Sequence, residues 1–437
     1  MKLRPFELAL VIIFGGMALL SVILLSAFSP KNEGELALSG VNSPVTIWGT
    51  FPQTAVDGVL SVLAEADESY ELISYRQYSP ENFDNNLVNA LADGAGPDLI
   101  LVSQEKLVEM RRRIQPISYD SFPLRDIKNR YLEGAEIFAL NDGLYGYPVA
   151  VDPIMMYWNR DILTTAGFLE PPSTWEQLIN SFLPSLVVRD NNRTIKRPVV
   201  AMGEYNNVKN AFSVVSLLLL QSGTTGVEID DVGKYQVKLR VAEGGGPDPL
   251  QTTIDFYTRF NKPSNALYSW NRSFSSDQQE FTAGNLAFYF GFGSEGRVLE
   301  RMNPNLNFDI AEVPQGASDT VRRTYGKIYA LSLLNSSQNR GSAIAAMNAL
   351  VATNVVEALS EKANMAPAYR SSVSAGSNDV YGRVVYRSAP VALGWLNPDK
   401  SASDEIFSTM VGDVSENRRN VAGAATDAVE KLGYEYR

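Results

Sequence analysis

A glycine-rich turn late in the chain could place backbone amides against a ligand. The glycines of Gly291–Gly296 satisfy the pattern G-x-G-x-x-G after the apolar run Phe288–Phe290, as dinucleotide-binding sites do. Asp309 lies about twenty residues downstream, where such a site carries an acid for the ribose. That fingerprint normally opens the first β-α-β unit of a domain, whereas this turn comes late. We therefore favour a turn whose glycines let the backbone approach another kind of ligand.

Two charged side chains stand where they could recognise polar groups of a ligand. Asp152 follows an extended apolar segment, and its carboxylate could accept hydrogen bonds from hydroxyl groups or bind a cation. The competing interpretation is an acceptor within an Asp-Pro turn, because Pro153 comes next. Arg370 follows the break at Ala366-Pro367 and could pair with an anionic group, although a structural or solvated arginine is the simpler interpretation.

Three tryptophans, Trp48, Trp270 and Trp395, lie in segments with loop-like composition. Flat aromatic faces stack on the apolar faces of sugar rings, so each tryptophan is a candidate carbohydrate contact. Ordinary packing is the competing interpretation for each of them.

The composition excludes several kinds of site. The chain has 437 residues and a net charge of −11, with neither Cys nor His. Disulfides, thiolate nucleophiles, Ser-His-Asp triads and His- or Cys-based zinc sites are therefore excluded. An acidic chain without a basic stripe argues against nucleic-acid binding. No P-loop is present and no hydrolase motif places a pair of carboxylates, so we predict neither an enzyme nor a cofactor.

An apolar segment near the N-terminus predicts a membrane anchor. Leu8–Phe28 comprises 21 apolar or small residues, long enough to cross a bilayer. Lys2 and Arg4 precede it, which favours a cytoplasmic N-terminus with the remainder of the chain outside. We assign a transmembrane anchor to 7–29 and a polar linker to 30–44.

A cleaved signal peptide is the alternative interpretation of this segment. Ala27-Phe28-Ser29 weakly resembles a cleavage site, but the following Pro30 and the length of the apolar run favour retention. A chain without Cys has no lipobox, so the lipoprotein form of anchoring is excluded.

The elements that position these residues begin with a β-α-β-α-β alternation, which predicts a parallel sheet covered by helices. Its predicted members are Val45–Trp48, Val56–Ser69, Tyr70–Tyr75, Pro80–Leu91 and Asp98–Val102. Later segments with strong patterns are a strand at Tyr325–Leu334, one helix over Ala343–Glu361 and a terminal helix at Val421–Leu432.

The segment 144–178 organises the rest of the chain. An extended run containing Pro148 predicts a strand, and a second apolar run, Ile154–Trp158, follows the Asp-Pro pair. A short helix should then stop near Gly167. Ser173, with Glu176 three residues on, predicts a capping box for the next helix.

The order of signals in this segment resembles the bacterial extracellular solute-binding proteins of family 1, the receptors of carbohydrate-type ABC importers. No single element is specific, but the full series is. The matching residues are Tyr147, Pro148, Asp152, Tyr157, Asn159, Asp161, Ala166, Gly167, Pro171, Pro172, Thr174 and Trp175.

The resemblance implies an α/β fold of two lobes, periplasmic-binding-protein-like and of type II, here with an N-terminal transmembrane helix. Lobe 1 is expected at 45–150 and 328–376, and lobe 2 at 151–327 and 377–437, with the strand at Tyr325–Leu334 as the second crossover.

The resemblance also suggests where ligand contacts lie, with two departures. Ser103 and Glu105 stand where sugar binders of the family often place an aromatic residue with Asp and Arg, and Ser294 stands where a stacking Trp is frequent. The positions that would confer sugar specificity therefore depart from the family pattern, whereas those that define the crossover segment match it. The full predicted ligand-binding set is Trp48, Phe51, Ser103, Glu105, Asp152, Trp270, Asn271, Phe292, Ser294, Arg370 and Trp395.

By resemblance, the protein is a receptor at the plasma membrane that captures a sugar or oligosaccharide between its lobes. It should deliver this solute to the permease subunits of an ABC importer and act as a monomer. A ligand-sensing extracytoplasmic domain that reports to a signalling partner is the alternative. The sequence leaves the ligand open among oligosaccharide, monosaccharide, polyol phosphate and small peptide.

Overall fold

A central mixed sheet organises this computed structural model, which describes residues 40–224, 226–230 and 232–436. The predicted anchor at 7–29 and the linker as far as residue 39 lie outside the described residues. The strands are β1 (Val45–Gly49), β2 (Ile73–Gln77), β3 (Leu99–Ser103), β4 (Ala139–Leu140), β5 (Gly143–Leu144), β6 (Tyr147–Asn159), β7 (Val188–Arg189), β8 (Ile195–Arg197), β9 (Val227–Ile229), β10 (Tyr235–Val237), β11 (Phe288–Phe292), β12 (Phe308–Ala311), β13 (Thr324–Leu333), β14 (Ala366–Pro367) and β15 (Ala392–Leu393).

Helices cover the sheet and carry the chain between its strands. They are α1 (Gln53–Ala66), α2 (Pro80–Ala92), α3 (Leu107–Met110), α4 (Leu124–Arg130), α5 (Arg160–Thr165), α6 (Trp175–Gln177), α7 (Leu183–Leu186), α8 (Ala211–Gln221), α9 (Pro249–Thr258), α10 (Asp277–Thr282), α11 (Gly296–Met302), α12 (Arg340–Leu350), α13 (Thr353–Lys362), α14 (Arg370–Ala375), α15 (Val380–Ser388), α16 (Lys400–Ser415) and α17 (Val421–Glu435).

The strand β6 joins the two halves of the fold. Its residues up to Pro153 pair antiparallel with β13, and its residues from Ile154 pair with β11 and β12. The Asp-Pro pair does not break the strand. Pro153, which has no N–H to donate, lies where β6 exchanges one set of partners for the other, so the loss of a donor is tolerated there. We call the β1–β2–β3 side the first half and the β11–β12 side the second half.

The predicted parallel arrangement at the start of the fold is confirmed. β1 pairs in parallel with both β2 and β3, and β13 then continues the sheet antiparallel to β3. Because β1 and β3 run in the same direction, their carboxyl ends meet at one edge of the sheet.

Two local predictions are wrong. The helix expected over Ala343–Glu361 is two helices, α12 and α13, bent by 74°, because the backbone at Ala352 is extended and caps the second one. The N-cap expected at Ser173 is Thr174, whose hydroxyl accepts the Gln177 N–H at 3.1 Å.

Among the described residues, no single helix is long and apolar enough to cross a bilayer, and α12 with α13 meets the length and composition only as a bent pair. Residues 41–437 form one compact unit, so the predicted lobe boundaries stay a prediction.

Candidate functional site

A cavity of ≈ 290 Å³ lies between the two halves, at the carboxyl ends of β1 and β3. Its walls come from the first half, from the crossover strand β13 and from the first turns of helices in the second half. The residues that carry its chemistry are Thr50, Ser103, Glu105, Tyr205, Lys209, Asn210, Phe212, Phe292, Lys327, Tyr329, Lys400 and Asp404.

Three hydroxyl groups on the first-half wall are free to bind a ligand. Thr50 follows β1, Ser103 ends β3, and Tyr329 lies on β13 opposite Ser103. None of these three hydroxyls has a hydrogen-bond partner among the described residues, although all three line the cavity. A polar group at a cavity surface gains most from a ligand when no protein group already satisfies it.

A lysine is held at the centre of the cavity between a ring and a carboxylate. The Lys327 ammonium lies 4.3 Å from the centroid of the Phe292 ring and 3.9 Å from Glu105 Oε2. Tyr325 donates its hydroxyl hydrogen to Glu105 Oε1 at 2.9 Å, which fixes that carboxylate. Since Glu105 Oε2 is outside direct hydrogen-bond distance of Lys327, both charged groups can still bind a ligand.

A buried glutamate positions the second-half wall. Glu295 Oε2 accepts hydrogen bonds from Lys209 Nζ at 3.0 Å and from the Tyr289 hydroxyl at 2.6 Å. Its Oε1 accepts from Asn210 Nδ2 at 2.9 Å and from the Phe292 N–H at 3.1 Å. One carboxylate thus holds three residues that line the cavity.

A second charged group on this wall comes from helix α16. Tyr205 donates its hydroxyl hydrogen to Asp404 Oδ1 at 2.7 Å, and Lys400 forms an ion pair with the same carboxylate. The Lys400 ammonium also lies 4.3 Å from the centroid of the Phe212 ring. A lysine over an aromatic face therefore occurs twice around the cavity.

Helices α2 and α8 direct their N-termini at the cavity. Neither helix has a side-chain cap, since the Asn210 side chain bonds Glu295 and the Ser79 side chain does not cap α2. The N–H groups of Glu81, Phe212 and Ser213 have no partner among the described residues and remain available as donors to ligand oxygens. The Asn82 and Ala211 N–H groups donate to backbone carbonyls instead.

The predicted contact Asp152 lies beneath the cavity wall, not on it. Its carboxylate accepts hydrogen bonds from the Ser294 N–H at 3.0 Å and the Ser294 hydroxyl at 2.6 Å, which ties β6 to the turn after β11. Burial raises the pKa of Asp152 to about 7, and the two hydrogen bonds and nearby Lys327 lower it by less.

The three tryptophans lie outside this cavity. Trp48 packs on Tyr78, 4.8 Å between ring centroids. Trp270 is fully buried and donates its indole N–H to Asn207 Oδ1 at 3.0 Å. Trp395 packs behind Phe212, with the ring centroids 5.5 Å apart, and lines a second cavity of ≈ 490 Å³.

The remaining predicted contacts also lie elsewhere. Phe51 is buried and meets the Tyr329 ring edge-on at 5.1 Å. Asn271 orders its own turn by accepting from the Ser273 N–H at 2.9 Å. Arg370 is exposed and donates to the Lys128 carbonyl at 3.1 Å.

The structure therefore brings Ser103, Glu105 and Phe292 together around the cavity. It places eight other predicted contacts outside the lining: Trp48, Phe51, Asp152, Trp270, Asn271, Ser294, Arg370 and Trp395. Their part in ligand binding stays a prediction.

Most of the cavity lining carried no motif in the sequence. Lys327 and Tyr329 lie within a segment that reads as an apolar crossover strand, and Phe212 within one that reads as a buried helix. For the first-half wall, the sequence holds one indication. Ser103 and Glu105, in and after β3, depart from the family pattern there.

The arrangement suits the binding of a small, polar and uncharged solute. Lys209 and Lys400 each have a carboxylate partner, and Lys327 has one nearby, so the wall offers both donors and acceptors without a large excess of either charge. The rings of Tyr205, Phe212, Phe292 and Tyr329 supply apolar surface beside these groups.

Solved structures of solute-binding proteins share this fold. A cyclo/maltodextrin-binding protein complexed with maltotetraose matches with a TM-score of 0.69 and 14% identity, over 90% of this chain and 97% of that one. A Thermus thermophilus maltotriose-binding protein bound with maltotriose gives 0.65 and 13%, over 89% and 99%. An ABC transporter solute-binding protein of Thermotoga lettingae bound with α-D-tagatose gives 0.63 and 20%, over 91% and 100%.

Similarity to curated proteins is confined to a short stretch. Binding proteins of Brucella abortus and Brucella suis are 27% identical to the chain over 93 residues. The match spans 21% of this chain and only 23% of the length of each relative.

A family model gives the widest sequence match. The model described as bacterial extracellular solute-binding protein matches residues 71–355, which is more than half of the chain. This range includes the crossover strand β6, the cavity residues of β3 and β13, and the turn after β11. The chain therefore belongs to the family of bacterial extracellular solute-binding proteins.

Proposed function

We propose that this protein is the membrane-anchored receptor of an ABC importer, which captures a sugar or short oligosaccharide in the cavity between its halves and delivers it to the permease. The observation that carries this proposal is the set of unpartnered hydroxyls of Thr50, Ser103 and Tyr329 beside Lys327 and Glu105. Such a wall can donate to and accept from the many hydroxyls of a carbohydrate.

The size and apolar surface of the cavity support a small sugar. Its ≈ 290 Å³ lies near the lower end of the roughly 300–1,000 Å³ range of ligand pockets. Two aromatic rings of the second-half wall, Phe292 from β11 and Phe212 from α8, offer faces for the apolar side of a sugar ring. A long oligosaccharide would have to extend beyond this cavity.

The similar structures support the sugar as ligand by analogy only. Those proteins are described with maltotetraose, maltotriose and tagatose, but their identities of 13–20% establish a shared fold and not a shared ligand. The family and its structural relatives are binding proteins, and we propose no catalytic step.

The crossover strand β6 supplies a mechanism of capture. It pairs with β13 up to Pro153 and with β11 and β12 beyond it, so a small change in its backbone can move one half against the other. A ligand that contacts Ser103 on one side and Asn210 on the other binds the closed form more tightly and so shifts the equilibrium towards it.

The N-terminal segment supports the proposed location. Lys2 and Arg4 before the apolar Leu8–Phe28 would keep the N-terminus in the cytoplasm and the binding cavity outside, with the receptor acting as a monomer.

A thermal-shift screen tests the proposed ligand class. Residues 41–437, which form their own compact unit, would be mixed with sugars, polyols, sugar phosphates and peptides. A ligand that binds only the folded chain stabilises it by about 2.7 kcal/mol at a hundred times its Kd. We expect a saturable rise in Tm with one sugar class.

The screen and a transport assay separate the alternatives. No rise with any carbohydrate would contradict the proposed ligand, and a rise with peptides alone would replace it. Sugar binding without permease-dependent uptake in vesicles would favour a ligand sensor over an importer receptor.

A further inference from the structure

One face of the first half carries arginines that no carboxylate neutralises. Arg112 and Arg340 are exposed and Arg113 is half-buried, and none of them forms an ion pair with another described residue. Arg113 donates only to the Glu109 carbonyl at 3.4 Å, and Arg340 only to the Gln115 side chain at 2.7 Å. Other described arginines, such as Arg301 and Arg383, also lack a carboxylate partner, but these three lie together.

These arginines lie together on the surface. The Asn335 side chain donates to the Arg112 carbonyl at 3.3 Å, and the Asn335 N–H donates to the Arg113 carbonyl at 2.8 Å. Gln115, the partner of Arg340, continues the same segment and donates its N–H to Leu333. The segments 112–115 and 335–342 therefore form one continuous surface.

Residues 42–44, near the start of the described chain, lie on this surface. The N–H groups of Asn42 and Ser43 both donate to the Ser342 hydroxyl at 3.1 Å, and the Asn339 side chain donates to the Pro44 carbonyl at 3.0 Å. We call the surface formed by 41–44, 112–115 and 335–342 the tether face.

The tether face lacks exposed acids, although the chain carries a net charge of −11. The segments 40–56, 110–119 and 320–356 contain no Asp or Glu. Asp98, the nearest carboxylate by contact, is buried and accepts from the Ser337 hydroxyl at 2.7 Å and the Thr46 N–H at 3.0 Å. The positive charge of the three arginines is therefore not cancelled locally.

The position of the tether face brings it close to a membrane. It lies at the amino ends of β1 and β3, on the side of the sheet opposite the cavity. Residues 29–40 separate it from the apolar segment Leu8–Phe28, and twelve extended residues span at most about 40 Å. If the apolar segment is in the bilayer, the tether face cannot move far from its surface.

We propose that the tether face binds anionic lipid headgroups through Arg112, Arg113 and Arg340, and so holds the receptor with its cavity directed away from the bilayer between transport events. This inference rests on the proposed membrane anchor. Guanidinium groups bind phosphate oxygens in a bidentate manner and attract an anionic surface within a Debye length.

The absence of Cys allows a direct test in the full chain. Ser336 is exposed on the tether face and its side chain makes no hydrogen bond among the described residues, so S336C accepts a single fluorescent donor. The labelled full chain would be reconstituted into phosphatidylcholine vesicles carrying a headgroup-labelled acceptor, with and without phosphatidylglycerol. We expect more energy transfer from the donor to the labelled headgroups when phosphatidylglycerol is present. At high salt, vesicles with and without phosphatidylglycerol should give the same energy transfer.

Matched charge variants identify the residues. The variant R112Q, R113Q, R340Q should lose the lipid-dependent rise completely. The control R125Q, R301Q, R383Q removes the same charge from exposed arginines outside the tether face and should keep the rise. A donor on S275C, in the second half, should show a smaller response.

The outcomes separate this inference from the function on which it rests. If the chain fails to float with the vesicles, the membrane anchor and this proposal are both wrong. If the chain floats but transfer from S336C ignores phosphatidylglycerol, or the two triple variants behave alike, only the lipid-binding role is overturned.

Discussion

Hydroxyl groups without protein partners are the strongest single-residue indication of where the solute binds. The hydroxyls of Ser103 and Tyr329 line the cavity without a hydrogen-bond partner among the described residues, so removing them leaves no orphaned protein group. We expect S103A and Y329F each to weaken ligand binding by roughly three- to tenfold, the cost of one lost hydrogen bond, with little change in Tm. Isothermal titration with the ligand found by screening measures this.

A matched hydroxyl gives the control for that prediction. S336A removes an exposed hydroxyl on the far side of the sheet and should leave the affinity unchanged. Unaltered affinity in both S103A and Y329F would mean that the ligand binds elsewhere.

The buried carboxyl of Asp152 predicts an unusual dependence of stability on pH. Its pKa is raised to about 7 in the folded chain, above the ordinary value of 3.8, mainly by burial. Below about pH 4 the group is protonated in both states, and the stabilisation linked to the raised pKa is complete. That stabilisation is lost as the pH rises through about 7.

The variant D152N isolates this effect, because an amide can still accept from the Ser294 N–H and donate to the Ser294 hydroxyl. Denaturant unfolding should give equal free energies for both proteins near pH 4. Near pH 8 the variant should be more stable by up to about 4 kcal/mol. If the free energies of unfolding of the two proteins changed with pH in parallel, the pKa of Asp152 would not be raised in the folded chain.

At the scale of elements, the sequence predicts the parallel strands well but does not predict where helices bend or where strands end. The parallel strands β1, β2 and β3 follow from alternating apolar runs, each bounded by turn residues. The bend between α12 and α13 could not be predicted, because Ala352 carries no breaker signal and tertiary contacts decide its extended backbone. Pro153 looks like a strand boundary, yet only the exchange of strand partners explains why β6 continues through it.

A glycine in β1 sets how closely the parallel strands approach. A Cβ added at Gly49 would lie 2.2 Å from the Leu101 carbonyl oxygen and 2.9 Å from the Tyr75 hydroxyl. The first contact is with backbone, so G49A must displace a strand. We expect it to lower the free energy of unfolding by about 1–3 kcal/mol or more.

A helical glycine serves as the control for this substitution. A Cβ at Gly433 in α17 meets nothing within 4 Å, so G433A should stabilise the protein by up to about 1 kcal/mol. Chemical denaturation of both variants measures the difference. Equal stabilities would contradict the close approach of β1 and β3.

At the scale of the molecule, the site could be predicted only in part because two halves build it. Ser103 and Phe292 are the last residues of β3 and β11, and Glu105 lies two residues after β3. Strand ends are where such folds bind ligands. Tyr205, Lys209 and Lys400 come from distant segments that only tertiary packing brings together. Trp270 shows the opposite error, since a loop-like composition suggested exposure and the side chain is fully buried.

The two cavities share a wall, so a change in the shape of one is expected to change the shape of the other. Phe212 lines the cavity that we assign to the solute, and its ring packs on Trp395, which lines the second cavity. The walls of the second cavity also come from both halves, with Leu140 on one side and Val227 on the other. Relative movement of the halves must therefore change both cavities together.

Substitution of Trp395 tests this connection, because its effect on solute affinity can be compared with its effect on the free energy of unfolding. Trp270 is equally well buried but distant from both cavities, and each indole N–H has one polar partner, the Ser216 hydroxyl or the Asn207 side chain. W395F and W270F should therefore lose similar stability, about 1–3 kcal/mol. Only W395F alters the packing against Phe212, whose ring also meets those of Phe407 and Tyr325, so only W395F should also weaken solute binding, by roughly three- to tenfold. Equal affinities of the two variants, measured by titration where both remain folded, would show that the second cavity closes independently of the first.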